Sequence, residues 1–159
     1  MDFIKKALAL GFSNVAIINV HDLVFRLEFR QFCEENICGC YDKVPACPPA
    51  CGTAEEMRDK AQSYDKALVL QTVLTQPDNS SDIYKKAKFD QNMLTEKLAD
   101  IIRSSGKDDI LIMTAGPYKQ HSCISAYGID AQKMADSAGM ICWAQDGDVR
   151  FFSQILYRE

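Results

Sequence analysis

Five of the seven cysteines, Cys33, Cys38, Cys40, Cys47 and Cys51, fall within nineteen residues, in the stretch CEENICGCYDKVPACPPACG. Buried cysteine packs as a small hydrophobe and gains nothing from clustering, so this concentration of thiols points to metal binding. Cys33, Cys38, Cys47 and Cys51 leave gaps of four, eight and three residues. Zinc closes a tetrahedron on four such donors, commonly paired through short cysteine turns. A cubane 4Fe–4S cluster also takes four cysteines, accepts irregular spacing, and is served in bacterial ferredoxins by a cysteine followed directly by proline, as at Cys47-Pro48. Softness does not separate the two. The iron–sulfur cluster is the favoured cofactor and zinc the alternative, with Cys40 a bystander or substitute ligand. Amides near Gly39 and Gly52 are placed to reach cluster sulfurs. A loop of merely buried thiols is the metal-free reading.

The remaining candidates are weaker. His21 and His121 are the only histidines, and each competes poorly as a ligand with a four-thiolate set. His121 near Cys123 resembles a Cys/His pair that activates a thiolate, but no third orienting group is evident. Cys142, between Ile141 and Trp143, reads as a core residue in a strand. Arg26, Arg30 and Lys43 flank the cysteine loop and are suited to offset thiolate charge. Tyr41 and Tyr118 are candidate pocket walls. The chain has no phosphate-binding glycine loop, dinucleotide fingerprint or serine-nucleophile elbow, so catalytic residues are not assigned.

The elements that must position these thiols follow from periodicity and caps. Residues 2–10 read as an amphipathic helix stopped by Gly11. Residues 15–20 form a β-branched run expected in a strand covered on both faces. Residues 22–35 fit either alternation or a helical face through Phe25, Phe29 and Phe32. Across the cysteine-rich loop, 33–52, Gly39, Pro45, Pro48, Pro49 and Gly52 forbid regular structure. Thr53 and Glu56 make a capping box for a helix to about residue 63. Residues 65–74 are a core strand. A turn at 76–81 leads into a helix whose stripe is Ile83, Ala87, Leu94, Leu98, Ile101 and Ile102, ending at Ser105-Gly106. Residues 109–114 are a third strand and 130–138 a helix stopped by Gly139. Residues 140–145 and 149–156, joined by Asp146-Gly147-Asp148, read as a hairpin.

The expected fold is therefore an α/β layered single domain, residues 1–159, with a mixed β-sheet, flanking helices and a C-terminal hairpin. A chain of 159 residues with 47% hydrophobic and 25% charged residues is long enough to bury its own core and is not of disordered composition. The formal net charge of −4 argues against nucleic acid as a partner. No apolar run approaches the roughly 20 residues of a membrane span. The N-terminal apolar residues are helically spaced and interrupted by Lys5 and Lys6, unlike a signal peptide, so a cytoplasmic location with reduced thiols is expected.

Cys33, Glu35-Asn36, Cys38-Gly39, Tyr41, Cys47-Pro48-Pro49, Cys51-Gly52, Glu55-Glu56, Tyr64-Asp65, Gln71-Thr72-Val73, Tyr127-Gly128-Ile129-Asp130 and Phe151-Phe152 together resemble a family of predicted metal-binding proteins filed as a domain of unknown function. The resemblance implies a metal site. It also implies a second cysteine group after the strand at 109–114, where this chain has only Cys123, so 118–129 is expected to be an ordinary connection without metal of its own. Three functions follow as expectations: an iron–sulfur protein that serves a redox partner protein or senses redox state, a structural zinc module for partner binding, or a metal-dependent enzyme. For the first, the centre is expected near the surface, shielded by Phe25, Phe29 and Phe32.

Overall fold

The computed structural model describes residues 1–36, 38–78 and 80–159. Asn79, in the anticipated turn at 76–81, and Ile37, in the cysteine loop, lie outside them. In chain order the elements are α1 (Phe3–Leu10), β1 (Asn14–Asn19), α2 (Arg30–Glu34), α3 (Ala54–Gln62), β2 (Lys66–Leu74), α4 (Ser81–Ser104), β3 (Ile110–Met113), α5 (Ala131–Ala138) and β4 (Val149–Tyr157), with short 3-10 turns at Val20–Asp22, Leu27–Phe29 and Ile124–Tyr127.

Local chemistry sets most boundaries. Asp2 caps α1 by accepting from the Lys5 amide, and Gly11 ends it in the left-handed conformation. Thr53 and Glu56 form both halves of the capping box on α3. Asp130 caps α5 by accepting from the Lys133 amide, and Gly139 closes it.

The four strands make one sheet in the order β1-β2-β4-β3, and all three pairings are antiparallel. This corrects the mixed sheet. The β2–α4–β3 passage does leave β2 and β3 pointing the same way, but β4 is inserted between them and opposes both. It also corrects the hairpin: both edges of β4 are taken, by β2 and β3, so 140–145 has no strand to pair with and is irregular. That segment is tied down instead by the Gln71 side-chain amide, which donates to the Ile141 carbonyl at 2.7 Å. Cys142 is therefore a partly buried loop residue rather than a strand residue, and Trp143 is 81% exposed.

Strand alternation feeds two cores. On one face Leu68, Leu70, Ile112 and Ile155 pack with Phe3 and Ala7 of α1 and Leu98, Ala99 and Ile102 of α4. On the other, Ala67, Val69, Leu111, Met113 and Leu156 meet Met57 and Ala61 of α3, Met134 of α5, and Ile124, Ala126, Tyr127 and Ile129. Two expectations fail on burial. β1 is an edge strand with Ile17 exposed, because only β2 pairs with it. In α4 the anticipated stripe holds only in its second half: Ile83 is exposed, and the middle turns bury Gln91, Asn92 and Thr95. These polar groups are satisfied against the sheet. Gln91 Nε2 donates to Ser153 Oγ at 2.8 Å, and the hydroxyls of Thr95 and Ser153 lie 2.6 Å apart. No helix among the described residues is long and apolar enough to cross a membrane.

Candidate metal centre

Residues 22–35 resolve into a 3-10 turn and the five-residue α2, which carries Cys33. Beyond it the loop is a chain of turns: Asn36 N donates to Cys33 O, Lys43 N to Cys40 O, Cys47 N to Val44 O and Cys51 N to Cys47 O, at 2.9 to 3.2 Å. Asn36 and Asp42 take the left-handed conformation that these two residue types tolerate. The Gly39 and Gly52 amides, anticipated as donors to sulfur, are used by these turns, on Asn36 O and Pro49 O. Two side chains fasten the loop to the core. Arg30 Nη1 donates to Gly52 O at 2.7 Å and Nη2 to Ala126 O at 3.1 Å. Ser122 Oγ donates to Ala46 O at 2.8 Å.

The loop and the segment after β3 enclose a cavity of about 560 Å³, lined by the thiol-bearing residues Cys33, Cys38, Cys40, Cys47 and Cys123. Phe32, Tyr41, Phe151 and Phe152 contribute its aromatic wall, and Lys88 and Arg150 also reach it. Cys51 lines a different cavity, with Met57, His121 and Ser122, and its Sγ lies 3.4 Å from Met57 Sδ. Among the described residues, no three His, Cys, Asp or Glu side chains converge closely enough to hold a single ion as they stand. The thiols surround a space instead of meeting at a point.

Burial, and next to it the proximity of Cys123, push the Cys33 thiol up to about 11 and the Cys47 thiol up to about 12. Burial also raises Cys51 and Cys123. The Arg30 guanidinium opposes the rise at Cys33 and Cys51. Its own partners are two carbonyls and the Met57 thioether, and its Nε is buried without a partner. Among the described residues no carboxylate pairs with it. A partly buried cation without a counter-charge is costly. A metal bound by several thiolates carries the missing negative charge, so this donor set and this guanidinium fit a soft metal centre.

The other candidates are placed elsewhere. His21 is exposed beside Asp22, and His121 Nε2 approaches Glu96 Oε2 at 3.7 Å, where burial lowers its affinity for a proton. His121 lines the cavity of Cys51, whereas Cys123 lines the other, so they do not form a common site. Arg26 is engaged with Asp130 at 2.9 Å, Lys43 is exposed, and Tyr118 packs edge-on against Phe89. Of the aromatics expected as a shield, Phe32 lines the thiol cavity, while Phe25 packs on the core. Sequence reasoning weighed Cys123 only beside His121 and did not group it with the loop thiols, the nearest of which lies 72 residues away. The only hint was its position after β3, where the resembled family carries further cysteines.

No curated protein and no solved structure matches this chain. A family match covers residues 16–123, so the resembling residues at 127–130 and 151–152 fall outside it. The matched span is more than half of the chain and contains every thiol of the cavity; the chain belongs to the family of predicted metal-binding proteins DUF2284.

Proposed function

We propose that this protein holds an iron–sulfur cluster on its cysteine loop and uses it to pass electrons or sense redox state. The observation that supports this most directly is the disposition of the thiols. They ring a cavity of about 560 Å³, which suits a body of several metal atoms. One zinc ion instead draws its four donors to about 2.3 Å. When bound, such a cluster supplies a redox centre whose potential follows its charge, hydrogen bonding and exposure.

The chain's own residues have definite tasks in this reading. Cys33 and Cys47 release their Sγ protons on loading, because only the thiolate ligates. Arg30 offsets the resulting negative charge. Phe32, Phe151 and Phe152 keep water from the cavity wall, and Phe32, 55% exposed, offers a partner protein an apolar approach. Anaerobic purification with iron and acid-labile sulfide analysis, followed by reductive titration, tests the proposal. Brown protein with matched iron and sulfide, bleaching reversibly with a new paramagnetic signal, is expected. Stoichiometric zinc without sulfide overturns it in favour of a structural module.

A further inference from the structure

We propose that the fourth protein ligand of the metal centre is Cys123, from the segment after β3, in the place that loop spacing gives to Cys51. The ligand set is then Cys33, Cys38, Cys47 and Cys123. This rests on a metal–thiolate centre in the cavity, but not on which metal fills it.

Three observations carry the assignment. The first is a tie between the cysteine loop and the segment after β3: Ser122 Oγ donates to Ala46 O at 2.8 Å, joining residues 76 apart. Cys123 and Cys47 are the next residues along from this bond, and both line the thiol cavity. The second is rigidity. Thr114 N donates to Ser122 O at 3.1 Å and Ile124 N to Thr114 O at 3.4 Å, so Cys123 is held in register at the end of β3. The buried 3-10 turn Ile124–Tyr127 follows it directly. A ligand on such a support needs little ordering when metal binds. The third is the disposition of Cys51, whose Sγ is against Met57 Sδ at 3.4 Å and which lines the other cavity. Next to burial, Cys123 also adds to the rise of both the Cys33 and the Cys47 thiol, ahead of a smaller contribution from Cys51. Cys40, whose Sγ lies 3.8 Å from the Cys38 carbonyl, remains the spare thiol.

A consequence is that metal would cross-link the cysteine loop to the segment after β3, adding to the Ser122–Ala46 bond that already joins them. Binding free energy then becomes stability of the contact between them.

The test is metal content per chain, after anaerobic reconstitution, of full-length Cys123→Ser, Cys51→Ser, Cys47→Ser and Cys142→Ser. Cys123→Ser and Cys47→Ser are expected to lose most of the bound metal, while Cys51→Ser and Cys142→Ser keep it. Far-UV circular dichroism of the metal-free variants separates ligand loss from misfolding. Native-state alkylation of the wild type gives a second readout: loading should slow modification of Cys123 and leave Cys51 unchanged. Full metal in Cys123→Ser with loss in Cys51→Ser overturns the assignment, as does alkylation of Cys123 that ignores loading. If the wild type carries zinc instead of iron and sulfide, the same variants are scored for zinc, and the cluster reading fails while Cys123 is still decided. A wild type that takes up neither metal overturns both.

Discussion

Replacing Gly128 by alanine should destabilise the protein far more than the same change at Gly139, although both glycines are left-handed, with φ of +75° and +70°. A side chain in that conformation costs about 1–2 kcal/mol. At Gly139 this is the whole penalty, because an added Cβ meets nothing within 4 Å. At Gly128 the Cβ would stand 2.8 Å from the Arg26 carbonyl oxygen, which is backbone. The two segments cannot simply part. Arg26 N donates to Gly128 O at 2.6 Å, Asp130 N donates to Val24 O at 2.8 Å, and Arg26 Nε holds Asp130 at 2.9 Å. Forcing them apart adds about 1–3 kcal/mol of overpacking, for a total of roughly 2–5 kcal/mol against a typical domain stability of about 5–15 kcal/mol. In urea, with a slope of about 2 kcal/mol per M, the midpoint should fall by about 1–2.5 M for Gly128→Ala and by about 0.5–1 M for Gly139→Ala. Equal losses would refute the argument, because the close backbone approach would then contribute nothing. Gly128 closes the turn that follows Cys123, so the variant should also retain metal less well.

Two further outcomes are expected. Arg30→Gln removes the cation beside Cys33 and should weaken metal retention about 10- to 100-fold, as loss of an outer partner commonly does; chelator competition measures it, and an unchanged release rate would show that Arg30 only braces Gly52 and Ala126. Acid stability should depend on Asp146, whose carboxyl is held at about 2, below its ordinary 3.8, first by Arg150 and then by the Asp148 amide. The depressed value means the stabilisation is complete above about pH 4 and is lost as pH falls towards 2, so Asp146→Asn should flatten that limb of a melting-temperature profile.

Sequence reasoning was sufficient for features whose cause is local. The cap at Thr53, the stops at Gly11 and Gly139, and the strands β2 and β3 depend on a few adjacent residues and were legible in them. The thiol cluster was legible for the same reason, since five cysteines lie in one stretch, and so was the family.

What depends on neighbours distant in sequence was not legible. The antiparallel sheet arises because β4, the last strand, enters between β2 and β3, a choice that no local pattern in 149–157 encodes. The hairpin failed on the same fact: an Asp-Gly turn favours a return strand only if an edge is free to receive it. The polar middle of α4 interrupts the apolar stripe because Gln91 and Thr95 find Ser153 across the interface. The facing of the thiols is the clearest case. Spacing treats Cys51 as equivalent to Cys47, yet the Arg30 and Ser122 hydrogen bonds fasten the loop so that Cys51 turns towards Met57 while Cys123 joins Cys47 in the cavity. Spacing along a loop fixes which thiols are available, and the contacts that anchor the loop decide which of them share a space.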